Sequence, residues 1–201
     1  MFSDSVKYDV GFEMIVAAFD ELSIVISCMT QNKNLDILVA AELISNCLLS
    51  GGKLLACGNG GSAADAQHFV AELIGRMSIE RRSLPAISLS TDPSVVTALG
   101  NDYGYDQIFK RQVEGLGQKG DVLLVISTSG RSPNIIQAIQ TAQANGLKTV
   151  ALVGNSGDSI LSTCDSCIQI PASNTQRIQE LHMVILHILC EFVEKQLVEV
   201  K

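Results

Sequence analysis

The chain has 201 residues, a formal net charge of −7, and 47% hydrophobic residues against only 4% aromatic ones. That length suffices for one sizeable core, and the acidic balance argues against nucleic-acid binding, which needs a basic face. No apolar run reaches the roughly 20 residues needed to cross a bilayer. The N-terminus, MFSDSVKYDVGFEM, lacks a basic segment followed by an apolar one, so no signal peptide and a cytoplasmic location are expected.

Residues 6–31 and 35–50 are apolar at helical spacing, with Asn34 placed to N-cap the second helix. Gly51 and Gly52 break the pattern. Short apolar runs follow at 53–57, 84–89, 121–127 and 148–153, with a weaker one at 166–170. Helical segments at about 62–76, 93–115 and 133–145 separate them, then a short turn near 158–163 and a long helix from about 175 to 200. Strands alternating with helices mean βαβ units, and runs without polar alternation are strands buried on both faces. The expectation is an α/β fold: three layers, with a doubly wound five-stranded parallel sheet and an N-terminal helical extension. No repeat or linker is visible, so residues 1–201 read as one domain. Residues 51–201 form its core, and 1–50 suit packing against another subunit.

Ligands of open parallel sheets bind beyond the carboxyl ends of the strands. Two loops there are rich in Gly and Ser. The first, GNGGSA after 53–57, runs into a helix whose N–H groups and dipole favour an anion. The second, Ser127 to Ser132, has four hydroxyls in six residues ahead of Pro133 and suits a phosphate monoester. Taken alone, it is equally a Ser-rich turn. GNGGSA also fits the dinucleotide fingerprint G-x-G-x-x-A, but the acidic residue that should follow at about 20 positions is missing; Asp92 comes about 30 positions later. No Lys-Ser/Thr follows the glycines, which excludes the Walker loop.

The three histidines are His68, His182 and His187. His68 and Glu72 are one turn apart, about 40° on a helical wheel. On the terminal helix the wheel sets His187 about 20° from Glu180 and about 80° from Gln179, so geometry alone favours Glu180 as its partner. Two imidazoles, a carboxylate and a carboxamide could bind a borderline divalent metal or act as general acid and base. Of the six cysteines, Cys164 and Cys167 form a C-x-x-C pair with no second pair to complete a zinc site, so ordinary reduced thiols are expected.

GNGGSAADAQHFVAEL, LPAISLSTD, GNDYGYDQIFKRQVEGLG, GDVLLVISTSG and RIQELHMVILHILCE, in this order, closely resemble the phosphoheptose isomerases, which are sugar-isomerase (SIS) domain proteins. The resemblance spans about residues 5–195 and implies a flavodoxin- or Rossmann-like SIS fold. It implies interconversion of sedoheptulose 7-phosphate and D-glycero-D-manno-heptose 7-phosphate through an enediol, the first step towards ADP-heptose for lipopolysaccharide. It further implies a cytoplasmic homotetramer with one Zn2+ per subunit, held by His68, Glu72, Gln179 and His187. The implied substrate contacts are Asn59, Gly60, Gly61, Glu72, Asn101, Asp102, Ser127, Thr128, Ser129, Ser132 and Gln179. The family thus selects Gln179 over Glu180. Glu72 is the implied base and His187 the implied acid. Zinc would weaken a carboxylate base and block an imidazole donor, so either the metal shifts during turnover or water shares these roles. Many relatives carry Asn where this chain has Arg131, an added cation beside the phosphate loop. Two alternatives stand beside the isomerase. One is a non-catalytic SIS tetramer that binds the replication initiator; its members lack the Glu and His found here at Glu72 and His187. The other is an isomerase of a different sugar phosphate.

Overall fold

The computed structural model describes residues 4–31 and 34–199. Two helices, α1 (Asp4–Gln31) and α2 (Leu35–Leu49), precede the first strand, β1 (Leu54–Gly58). Then come α3 (Gly61–Ile74), β2 (Ala86–Ser88), α4 (Pro93–Tyr103), a 3-10 turn (Tyr105–Gln107) and α5 (Ile108–Leu116). The chain continues with β3 (Val122–Ser127), α6 (Pro133–Ala144), β4 (Lys148–Val153), α7 (Asp158–Leu161), β5 (Ser166–Gln169) and α8 (Thr175–Glu199). All five expected strands form within a residue or two of their expected limits. The expected last residue of the terminal helix, Val200, lies outside the described residues.

The strands make one parallel sheet in the order β2-β1-β3-β4-β5. Alternate residues of each strand enter two separate cores. Leu54, Ala56, Leu124, Ile126, Val150 and Leu152 meet α2, α3 and α8 on one face. Leu55, Cys57, Leu123, Val125, Ala151 and Val153 meet α5 and α6 on the other. A strand buried on both faces needs apolar residues throughout, which is why these runs show no polar alternation. The strand order reverses between β1 and β3, the kind of point beyond whose carboxyl ends open parallel sheets bind their ligands.

Two local expectations are corrected. The single helix expected over 93–115 is interrupted at Gly104, whose φ of 91° is a conformation that glycine adopts at little cost. Asp92 caps the first piece by accepting from the Ser94 and Val95 N–H groups. Asn34 stands at the N-cap of α2 but is left-handed (φ 44°) and makes no side-chain cap. Its amide instead donates to the Met29 carbonyl at 2.7 Å, so it terminates α1.

Candidate functional site

Gly58 closes β1 where the chain turns back so sharply that a Cβ would lie 2.4 Å from the Ser62 carbonyl oxygen. Gly60 (φ 56°) completes the turn, and α3 begins at Gly61. A Cβ on Gly61 would lie 2.5 Å from Nε2 of Gln179, so the Gln179 carboxamide of α8 rests against the first residue of α3. This close approach sets the two helices side by side.

Two turns into α3, His68 Nε2 lies 3.3 Å from Glu72 Oε1. His187, from α8, brings its Nε2 to 3.2 Å from His68 Nε2. The two rings meet edge to face with centroids 5.3 Å apart. Donor atoms of His68, Glu72 and His187 all lie within 4.8 Å of one another, the one such His/Cys/Asp/Glu group among the described residues. Tetrahedral zinc with ligand bonds of about 2.0–2.1 Å holds neighbouring donors about 3.3 Å apart. The separations from His68 match that spacing, so the side chains present fit a metal of this kind. Asp65, one turn before His68, adds a carboxyl with one buried oxygen lacking a hydrogen-bond partner. Burial pushes its pKa up and the His68 imidazole opposes this.

Glu180, the wheel's choice, is turned elsewhere: it forms a two-point ion pair with Arg177, at 2.9 Å from both Nη2 and Nε. His182 is fully buried. Burial lowers its pKa to about 4, with a weaker opposing influence from the Val153 backbone.

The hydroxyl loop lies after β3. Ser127 Oγ accepts from the Gly130 N–H and Ser129 Oγ from the Arg131 N–H, each at 3.2 Å, which folds the loop into a compact turn. Gly130 (φ 60°) sits so close to Gly157 that a Cβ would come within 2.6 Å of its Cα. Thr128 is half-buried; Ser132 N-caps α6 without a side-chain cap hydrogen bond. Arg131 is exposed. Between this loop and the first, the Asn59 and Asn134 carboxamides exchange hydrogen bonds of 3.0 and 2.9 Å, and the Tyr105 hydroxyl donates to Asn59 Oδ1 at 3.0 Å. Asn101 and Asp102, exposed at the end of α4, bond to each other at 2.8 Å.

Sequence reasoning passed over Tyr105 and the buried pair Arg81 and Glu194. Glu194 of α8 accepts N–H groups from Met77, Ser78 and Ile79, all at 2.9 Å, and pairs with Arg81 at 3.2 Å. Burial alone would raise its carboxyl pKa, but these donors and the Arg81 charge together hold it below its ordinary range. Arg81 also donates to the Glu72 carbonyl at 2.7 Å, tying the last turn of α3 to α8. The one signal in the sequence was a lone acidic residue, Glu194, next to the apolar Val193 on the buried side of the last helix. Cys164 and Cys167 are thiols whose burial raises them to about 11 and about 12, as ordinary core cysteines behave.

A family model described as the SIS domain matches residues 19–154. The phosphoheptose isomerase of Pelobacter propionicus is 57% identical over 159 residues, covering 79% of this chain and 84% of that protein. Among solved structures, phosphoheptose isomerase from Neisseria gonorrhoeae superposes with a TM-score of 0.86 at 42% identity, covering 91% of this chain and 98% of that one. One from Francisella tularensis gives 0.87 at 39% identity, with coverages of 92% and 98%.

Proposed function

The chain belongs to the SIS-domain family and, within it, to the phosphoheptose isomerases, and on that premise we infer an aldose–ketose isomerase that interconverts sedoheptulose 7-phosphate and D-glycero-D-manno-heptose 7-phosphate. The observation that carries the reading is the group formed by His68, Glu72 and His187 at the crevice where α3 and α8 meet.

The reaction moves a proton between C1 and C2 through an enediol, so it needs a carbon base and a group that exchanges protons with O1 and O2. Glu72 is the base. Its Oε1 faces His68, which leaves Oε2 to reach the carbon-bound proton. His187, on the facing helix, is the acid at the sugar oxygens. Ser127, Thr128, Ser129 and Ser132 hold the phosphate at the start of α6, where backbone N–H groups and the helix dipole favour an anion. Asn59, Gly60 and Gly61 contact the sugar near the reacting end; Asn101, Asp102 and Gln179 complete its contacts. Binding of the distant phosphate thereby positions the reacting carbons.

His68, Glu72, Gln179 and His187 would hold one Zn2+ per subunit, supported for His68, Glu72 and His187 by their donor spacing. When bound, the metal supplies Lewis-acid stabilisation of negative charge at the reacting oxygens. The proposal extends to one SIS domain over residues 1–201 and to a homotetramer with residues 1–50 at its interfaces, supported by the exposed apolar side chains of α1. It places the enzyme in the cytoplasm, at the first step towards ADP-heptose for lipopolysaccharide. No helix among the described residues is long and apolar enough to cross a membrane.

A turnover assay with sedoheptulose 7-phosphate alongside hexulose phosphates tests the substrate. Preference for the heptulose is expected; preference for a hexulose would move the protein to another sugar, and no turnover of any of them would sink the enzyme reading.

A further inference from the structure

We propose that Asn134, with Tyr105, is a positioning residue that fixes the Asn59 carboxamide as a pure hydrogen-bond donor towards the sugar. This rests on the reading of Asn59 as a substrate contact.

A carboxamide has an oxygen with two lone pairs and a nitrogen with two hydrogens. In Asn59 both oxygen positions are taken, one by Asn134 Nδ2 at 2.9 Å and the other by the Tyr105 hydroxyl at 3.0 Å. One amide hydrogen is committed to Asn134 Oδ1 at 3.0 Å. What remains for a ligand is a single N–H. Asn59 therefore selects an oxygen acceptor, such as a carbonyl, a hydroxyl lone pair or a developing oxyanion. Swapping the Asn59 nitrogen and oxygen would set like groups of the two carboxamides against each other. Swapping both carboxamides together would lose the hydrogen bond that the Tyr105 hydroxyl donates to Asn59 Oδ1, and Asn134, only 1% exposed, has no water to replace the pairing.

The placement gives this pair its consequence. Asn59 follows β1 and Asn134 lies in the first turn of α6 after β3, on either side of the point where strand order reverses. Tyr105 adds a third element, the 3-10 turn that the break at Gly104 produces. The carboxamide pair thus joins the loop at the reacting end to the helix whose N-terminus holds the phosphate. Both ends of one substrate are held to a common spacing.

The test is a double-mutant cycle on kcat/KM. Asn59→Ala alone is expected to lower kcat/KM clearly. Asn134→Leu, of similar volume but without polar atoms, is expected to lower it roughly 10–100-fold, the scale of a misplaced contact. Tyr105→Phe removes one exposed hydroxyl with little risk to folding and is expected to cost about 2–10-fold, the worth of one hydrogen bond. In the Asn59→Ala background both losses should nearly vanish, because each acts through the Asn59 amide. A purely structural Asn134 would give the same fold-loss with or without Asn59, and that result overturns the proposal. Should Asn134→Leu fail to fold, Tyr105→Phe decides in the same way. If Asn59→Ala retains wild-type turnover, the substrate-contact reading beneath the proposal falls instead, and with it the proposal.

Discussion

At the scale of single residues, the three histidines divide by environment. His182 lies five residues before His187 on α8, about 140° round the helix, and faces the core. The sequence showed which histidines were near an acidic partner, but not which would be buried, since that depends on how α8 rolls onto the sheet. The consequence of burial is measurable. Unfolded, the His182 ring titrates at 6.5; folded, at about 4. Between these values the unfolded chain takes up the proton first, so stability is full above the upper value and falls as pH drops through the window. The loss should reach about 2 kcal/mol near pH 5. Urea unfolding at pH 7 and pH 5 should show it, and His182→Leu should flatten that part of the profile. An unchanged slope in the variant would assign the acid sensitivity elsewhere. For Glu72, the expected outcome of Glu72→Gln is a turnover loss of about 100- to 10,000-fold, with sugar-phosphate binding by calorimetry largely intact. Near-normal turnover would remove Glu72 as the base.

Among the elements, strands were the most legible because burial on both faces leaves an uninterrupted apolar run. The stretch from Asp92 to Leu116 was less so. Its apolar spacing carries across Gly104, and only the backbone reversal at that residue separates α4 from α5 and places Tyr105 beside Asn59. The choice between Gln179 and Glu180 was also beyond a helical wheel. A wheel ranks angles within one helix, whereas here Arg177 occupies Glu180 and the bare Cα of Gly61 receives Gln179. That contact predicts the behaviour of Gly61→Ala. The added methyl meets the flexible end of a side chain, so the fold should survive with a Tm change of only a few degrees. The carboxamide must move, so activity and zinc content should both fall. Normal zinc content with normal kcat/KM would show that Gln179 has no part in the site. Arg81 and Glu194 escaped notice because their partners are mostly backbone N–H and C=O groups, which sequence patterns do not display.

For the molecule as a whole, α1 is the element without enough neighbours. Phe12 and Phe19 are 71% and 67% exposed, and Met14, Ile15 and Ile24 are exposed as well. Such a patch is what the proposed tetramer interface would cover. The chain mass is 21.5 kDa, and light scattering is expected to give about four times that. Replacing both Phe12 and Phe19 by Asp should shift the mass towards a single chain; an unaltered assembly would move the interface elsewhere. The order in which the molecule comes into being follows from another feature. His68 and His187 are separated by 119 positions. At about 5–20 residues per second, a ribosome making this chain needs roughly 6–24 s after finishing one half of the reacting group to supply the other. The helix that brings the second half also carries Ile178, Leu181, Ile185, Leu189 and Val193, which cover one face of the sheet. Until it docks, a nascent chain exposes that apolar face and has no chemistry. On the proposed mechanism, the docking that covers this face of the sheet also completes the reacting group.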